Sequence, residues 1–170
     1  MNIWSTFCSR LQFVFKLSIL YIASAYFLDL NWNQTALGKL KTPRITHMCG
    51  TLTKGYESYL VVVGGVTQNE ITSDCEYVHY PDREWKSCAN LPQPLSYGQM
   101  VNDPETGDLL LLGGQDNWGH FQDTIYRLSD IDQDWVLEDQ TLKVGRCAFS
   151  AIFLPDGILD CDNNAQHDEL

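Results

Sequence analysis

Leu60-Val61-Val62-Val63-Gly64-Gly65 is the stretch that decides the fold, because its pattern recurs as Leu109-Leu110-Leu111-Leu112-Gly113-Gly114. Gly64 and Gly113 are 49 residues apart, as are Tyr77 and Tyr126, and Trp85 and Trp135 are 50 apart. The residues between these landmarks differ freely. A spacing that survives such changes indicates one structural unit used twice, and a period near 50 is typical of a four-stranded propeller blade.

Each landmark of the repeat has a physical reason. A run of four apolar residues bounded by turn residues is too short for a helix and favours a strand buried on both faces. The glycine doublet lets the backbone take a positive φ or approach a neighbour closely. Tyr and Trp are large and amphipathic, so they can fill the wedge between blades while a polar atom stays near water. The sequence therefore predicts an all-β fold.

The order of apolar run, Gly-Gly, Tyr and Trp resembles the kelch repeat. This resemblance implies a partial β-propeller of four-stranded antiparallel blades over residues 26–166. Its units are 26–45 (partial), 46–95 (complete), 96–145 (complete) and 146–166 (partial).

Strands and turns can be placed within these units. Turn-forming residues lie at Lys54-Gly55, at 103–107 and at 130–134. A third unit begins with a predicted strand over 150–154, and residues 26–32 read as the third and outer strands of an earlier blade. The strands predicted for the first complete unit are 46–51, 59–63, 75–79 and 85–88, and the second unit repeats their order.

Two whole and two partial units make about three blades, whereas closed propellers use about four to eight. A stack of blades exposes an apolar flank at each end unless it closes or is capped. We therefore expect either a shortened member of the family or self-association, with another copy or a partner completing the propeller.

The first 25 residues differ from the rest. Arg10 and Lys16 precede an apolar stretch over 17–22 and then Ala23-Ser24-Ala25, which is the order of a secretory signal peptide. Two other interpretations stay open. One is a membrane anchor over 11–30, which Lys16 and the short apolar run disfavour. The other is a remnant strand of a longer propeller.

The C-terminus is His167-Asp168-Glu169-Leu170, which resembles the tetrapeptide that retrieves soluble proteins to the endoplasmic reticulum. Asn33-Gln34-Thr35 adds an N-glycosylation sequon. Both agree with the signal-like N-terminus. The sequence therefore predicts the lumen of the endoplasmic reticulum, and a cytoplasmic location if these terminal patterns are accidental.

Charge and metal-ligand spacing exclude several functions. The net charge of −11 repels nucleic acid and anionic membrane surfaces. His47, His79 and His120 lack tight metal spacing, and no nucleophile motif or phosphate-binding loop is present. The sequence predicts no metal, no cofactor and no enzymatic activity. The alternative is an oxidase-like enzyme, since some kelch-like propellers carry copper-dependent oxidase chemistry.

Cysteine placement suggests one disulfide. A hairpin turn at 80–83 puts Cys75 opposite Cys88 on adjacent antiparallel strands, at a separation that a disulfide can bridge. Cys49 and Cys147 are two periods apart, with Gly98 between them, and are expected at equivalent inner-strand positions as buried, reduced thiols.

The loops that join the strands are the part of the predicted β fold that suggests a function. We interpret the chain as a protein-binding module that contacts its partner through the loops joining its strands. The loop 115–121 displays Trp118 and Phe121 among turn residues, the composition of a binding hot spot. The competing interpretation packs these two rings between blades. A second alternative is a cytosolic kelch fragment that recognises substrates for ubiquitination.

Overall fold

The computed structural model describes residues 12–13, 22–28 and 34–154, apart from 69, 80 and 81. These residues form strands, turns and irregular segments, so the predicted all-β class is confirmed. The strands are β1 (Gln12–Phe13), β2 (Ile22–Leu28), β3 (Gln34–Arg44), β4 (Met48–Lys54), β5 (Glu57–Val63), β6 (Cys75–His79), β7 (Lys86–Cys88), β8 (Gln99–Asn102), β9 (Leu109–Gln115), β10 (Phe121–Leu128) and β11 (Val136–Leu137).

The strands form three antiparallel sheets. The N-terminal sheet has the order β1-β2-β3, sheet one the order β4-β5-β6-β7 and sheet two the order β8-β9-β10-β11. In sheets one and two each strand pairs with the next one along the chain. The predicted four-stranded antiparallel blades are therefore confirmed for the two complete units.

The strands predicted for the first complete unit agree with the structure to within three residues at each end, whereas those predicted near the two ends of the chain do not. Residues 75–79 form β6 as predicted, and the apolar runs lie within β5 and β9. Residues 150–154 are not in a strand, so the strand predicted there is absent. Ile152 is exposed, which leaves this segment without the burial that would favour pairing. Residues 26–28 lie in β2, which begins at Ile22 and pairs with β3 from Gln34 onward, so the predicted start of a strand at Tyr26 is wrong; residues 29–32 lie outside the described residues.

The register shows that the repeat is not uniform. Met48 pairs with Val63, and Gln99 pairs with Leu112, so the inner strands are offset by 51 residues and the second strands by 49. Tyr126 pairs with Leu111, as Glu76 pairs with Val62, which gives an offset of 50 in the third strands.

Two predicted equivalences are therefore wrong. Tyr77 corresponds to Arg127 rather than to Tyr126, because Arg127 pairs with Leu110 as Tyr77 pairs with Val61. Cys49 corresponds to Met100, so Cys49 and Cys147 are not equivalent. The physical reason is that turn lengths differ between the units and β10 carries a register shift between Gln122 and Ile125.

The glycine doublets mark where the chain passes closely from one sheet to the next. Gly64 and Gly113 have positive φ, and a Cβ on Gly64 would lie 2.3 Å from the carbonyl oxygen of Leu95. A Cβ on Gly113 would lie 2.6 Å from the carbonyl oxygen of Arg146. A positive φ favours glycine, and the close approach leaves no room for a side chain. The repeat landmark is thus explained by the segment that leads into the following unit.

Two apolar layers hold the three sheets in a stack. The first lies between β3 and sheet one and contains Leu37, Leu40, Leu60, Val62, Val78 and Trp85. The second lies between sheets one and two. Its buried members include Val61, Val63, Leu109, Leu111, Tyr126 and Trp135. Successive residues of β5 thus point to opposite layers, which explains why the whole run is apolar.

Several predictions concern segments at the two ends of the chain. Strand β2 spans the predicted cleavage point after Ala25 and pairs with β1 and β3. The sequon residue Asn33, the partial unit beyond residue 154 and the retrieval tail His167 to Leu170 lie outside the described residues. In the part of the chain that the structure describes, no helix has the length and apolarity to cross a membrane.

Candidate functional site

The loop between β9 and β10 is organised by one carboxylate. Asp116 is buried, and its Oδ1 accepts hydrogen bonds from the backbone N–H groups of Trp118 and His120, each at 2.9 Å. Its Oδ2 accepts from the amide of Gln122 at 3.1 Å and lies 3.2 Å from His120 Nδ1. This one side chain therefore fixes both ends of a tight loop.

The charge of Asp116 is stabilised by these donors. Burial alone would raise the pKa of the carboxyl, but the N–H groups of His120 and Trp118 outweigh it and lower the pKa below its usual value. The carboxylate therefore stays ionised at neutral pH and keeps accepting all of these bonds.

Trp118 on this loop and Phe121, the first residue of β10, project into solvent. Trp118 is 80% exposed and Phe121 is 58% exposed. The interpretation that packs the two rings between blades is therefore wrong for both. Two large aromatic side chains on a loop with a fixed backbone form a surface that can bury apolar area on a partner.

At the opposite end of sheets one and two, Asp108 joins the two blades. It accepts hydrogen bonds from Lys54 of sheet one at 2.7 Å and from Arg127 and Ser129 at 3.0 Å each. Burial would raise the pKa of Asp108, and the three donors outweigh it and lower the pKa to about 2. This cluster holds the sheets together rather than presenting a reactive group.

A buried ion pair joins the N-terminal sheet to sheet one. Arg44 is fully buried, and its guanidinium donates to Glu76 Oε1 at 2.6 Å and to the carbonyl oxygens of Gly64 and Asp74. The Glu76 carboxylate also accepts the backbone N–H groups of Lys41 and Thr42. Each member of the pair thus makes several hydrogen bonds, which buried charges require.

The cysteines separate into a bonded pair and two thiols. Cys75 pairs with Cys88 in the register of β6 and β7, and a disulfide joins them with their Cα atoms 5.1 Å apart. Cys49 and Cys147 are free. Burial raises the pKa of the Cys49 thiol to about 11, so almost none of it is thiolate at neutral pH.

The histidines do not converge on one point of the described structure. Burial, with a smaller effect of the Arg44 charge, lowers the pKa of His47 to about 4. His79 lies 3.7 Å from Asp82, and His120 belongs to the Asp116 loop. Among the described residues, no group of three or more His, Cys, Asp or Glu side chains could hold a metal ion.

Sequence reasoning found the aromatic loop and the cysteine pair but missed Asp116, Arg44 and Glu76. Asp116 begins a run of turn residues, which is the signal for a side chain that caps its own loop. A scan against models of protein families finds no match to the chain, and a search of the curated proteins finds none either.

Proposed function

We propose that this protein is a protein-binding module with kelch-like blades, and that it contacts its partner through the loop containing Trp118 and Phe121. The observation that carries the proposal is the contrast within that loop. Its backbone is fixed by a buried carboxylate, and both of its aromatic side chains are exposed.

A loop with a fixed backbone and exposed aromatic side chains loses little conformational entropy on binding and offers a large apolar contact area. Ordering a loop on binding costs free energy. The hydrogen bonds to Asp116 already order this loop in the free protein, so binding does not incur that cost. The rings of Trp118 and Phe121 then supply a large contact area with few rotatable bonds. Large aromatic residues are enriched in binding hot spots for this reason. Docking of Trp118 and Phe121 into an apolar pocket on another protein is the use that this surface supports best.

The kelch-like identity of the blades is supported by the sheet topology. Sheets one and two have the same strand order, the same glycine doublet at the end of the second strand and a buried Trp before the fourth. Loops at one end of such blades form the natural contact surface of a propeller.

We place the protein in the lumen of the endoplasmic reticulum on the strength of its terminal sequences. The sequence from Arg10 to Ala25 has the order of a secretory signal, and the last four residues resemble a retrieval tail. The facing cysteines Cys75 and Cys88 agree with an oxidising compartment.

Binding is tested with a matched pair of exposed aromatic side chains. Chemical cross-linking in intact cells identifies the protein that contacts the loop, and titration with that purified protein measures affinity. Trp118→Ala is expected to weaken binding about 30-fold or more, which is the loss of about 2 kcal/mol typical of a hot spot. Tyr56→Ala is the control, because Tyr56 is fully exposed in the β4–β5 turn. Equal affinity of the Trp118→Ala protein and the native chain would overturn the proposal.

Location is tested separately, so that its failure leaves the binding proposal standing. Deletion of His167 to Leu170 is expected to release the protein into the medium, whereas Asn163→Ala with Asn164→Ala is not. Retention of the shortened protein in its original compartment would contradict the retrieval tail.

A further inference from the structure

Arg44 shows how this chain attaches one sheet to the next. It lies at the end of β3, and its guanidinium reaches forward onto sheet one, where it meets Glu76 and the carbonyl oxygen of Gly64. Lys41 and Thr42, just before it, donate their backbone N–H groups to the same carboxylate. The segment 40–44 therefore acts as a receptor for a glutamate on the third strand of the following sheet.

The segment 142–146 repeats this receptor 102 residues later. Leu40-Lys41-Thr42-Pro43-Arg44 becomes Leu142-Lys143-Val144-Gly145-Arg146, which keeps the Leu, the Lys and the Arg. The intervening segment, Leu91-Pro92-Gln93-Pro94-Leu95, lacks both basic residues.

Backbone geometry confirms the equivalence. Thr46, Tyr97 and Ala148 are spaced 51 residues apart and are the non-glycine residues with positive φ among the described residues. Tyr97 N–H donates to the carbonyl of Thr46, and Ala148 N–H donates to the carbonyl of Tyr97. The three segments that end at these residues therefore lie side by side, and we call them the lead-in segments.

The Nε atoms of Arg146 and Arg44 make the same hydrogen bond, each to the carbonyl two residues earlier. Arg44 Nε donates to the carbonyl of Thr42 at 3.2 Å, and Arg146 Nε donates to the carbonyl of Val144 at 3.1 Å. The difference lies beyond that point. Arg44 is buried against Glu76, whereas Arg146 is exposed, with its guanidinium 5.9 Å from the Phe149 ring centre. Within the described part of the chain Arg146 has no carboxylate partner.

The sheet beside Arg146 has a half-covered apolar face. Val61 and Val63 of sheet one are fully buried under sheet two. Their counterparts Leu110 and Leu112 are only partly buried, as are Val101 and Ile125 on the same face. We call these four residues, Val101, Leu110, Leu112 and Ile125, the far face of sheet two.

The repeat specifies which residue Arg146 should meet. Where the lead-in segment carries Arg44, the third strand of the next sheet carries Glu76. Where the segment carries Leu95, the third strand carries Tyr126 at the same register position. Pro92 stands at the position of Lys41 and has no N–H to donate, which fits the absence of a carboxylate there. The segment with Lys143 and Arg146 resembles the segment with Lys41 and Arg44, whose partner is Glu76. The partner of Arg146 is therefore an acidic residue.

We propose that Arg146 and the far face of sheet two form a docking surface for a partner β-sheet that carries a glutamate on its third strand. The guanidinium of Arg146 and the backbone N–H groups of Lys143 and Val144 receive that carboxylate, while Leu110 and Leu112 pack under the sheet. Leu40 corresponds to Leu91, so Ala36 of β3 corresponds to Ser87 of β7. Tyr26 pairs with Ala36 as Glu76 pairs with Ser87, so Tyr26 holds the position of Glu76 in the N-terminal sheet. The partner is therefore an acid-bearing blade rather than the N-terminal sheet of a second copy. This inference does not rest on the proposed function of the Trp118 loop.

The first experiment supplies such a blade as a probe. In the full chain, residues 147–170 are replaced by a second copy of residues 45–95, so that the copied Glu76 follows Arg146 as the original follows Arg44. We expect the melting temperature of the extended protein to fall by about 8 °C or more when the copied glutamate becomes Gln. Arg146→Leu should cause a similar fall, and the two changes together should cost no more than one. A melt that is insensitive to the copied glutamate overturns the proposal.

The second experiment uses the unextended chain and needs no added blade. Arg44→Leu is expected to lower the melting temperature by about 8 °C or more, whereas Arg146→Leu should leave it within about 2 °C. An equal loss for both variants would mean that the chain's own acidic residues beyond 154 already occupy Arg146, and would overturn the proposal. Light scattering tests whether a second copy of the chain occupies the face. A native dimer that becomes monomeric with Arg146→Glu would assign the face to a second copy and equally overturn it.

Discussion

Replacing Glu76 by Gln should destabilise the protein strongly, although the two side chains have nearly the same size. Glu76 is 3% exposed, and its carboxylate accepts hydrogen bonds from Arg44 Nη2 at 2.6 Å, from the Lys41 N–H at 2.6 Å and from the Thr42 N–H at 3.1 Å. Glutamine offers one oxygen in place of two and leaves the Arg44 guanidinium buried without a counter-charge. Removing one partner of a buried ion pair costs about 3–5 kcal/mol.

The corresponding thermal shift is large enough to measure. For a domain of this size 1 kcal/mol moves the melting temperature by about 2–4 °C, so Glu76→Gln should lower it by roughly 6–20 °C. Glu84→Gln is the matched control, because Glu84 is exposed in the connection between β6 and β7 and should change the melting temperature by less than about 2 °C. Thermal unfolding followed by circular dichroism measures both.

The second unit provides a compensating pair. Leu95 and Tyr126 occupy the positions of Arg44 and Glu76, and both are buried in the core between sheets one and two. A buried ion pair replaced by apolar residues of similar volume is often neutral or stabilising. Arg44→Leu combined with Glu76→Tyr should therefore recover at least half of the loss caused by Glu76→Gln. Equal melting temperatures for Glu76→Gln and Glu84→Gln, or a double variant less stable than either single change, would contradict this prediction.

Three further outcomes are expected. Cys75→Ser should remove about 3 kcal/mol, the chain-entropy contribution of a disulfide whose cysteines are 13 residues apart, and should do so only under oxidising conditions; an equal effect in the presence of reductant would contradict it. Because the pKa of Asp108 is about 2 when folded and near 3.8 when unfolded, its stabilisation is present above pH 4 and lost as the pH falls towards 2, so Asp108→Asn should cost up to about 2 kcal/mol at pH 7 and little at pH 2, which urea titrations at both pH values would check. Gly64→Ala should lower the melting temperature more than Gly55→Ala, because both have φ near +60° but only Gly64 would press its Cβ to 2.3 Å from a backbone oxygen; equal losses would show that φ alone decides.

The candidate site was only partly predictable from sequence. The composition of the loop 115–121 indicated two aromatic contact residues, and the hairpin turn indicated that Cys75 faces Cys88. The exposure of Trp118 could not be predicted, because an aromatic residue among turn residues is equally suited to the wedge between blades. Its direction depends on the bonds that Asp116 makes, and these exist only in the folded loop.

The equivalence of residues between units also lay beyond the sequence. Tyr77 and Tyr126 keep the spacing of the glycine doublets, yet they occupy different register positions and opposite faces of their sheets. Spacing in the chain counts every residue, including those in turns and bulges. Register counts only the residues that pair, so an irregularity such as the one in β10 separates the two.

By itself the sequence determined that the chain is all-β, that its unit is a four-stranded sheet and that the unit is used twice. These properties follow from local patterns, namely apolar runs, glycines that permit a positive φ and turn residues, and local patterns act through the backbone of a few neighbouring residues. Only the tertiary structure decided that Arg44 pairs with Glu76, that Arg146 repeats Arg44 and that Trp118 faces solvent. Those outcomes depend on which sheet packs against which face, because a buried charge, a half-covered apolar face and an exposed ring are defined by neighbours that are distant along the chain.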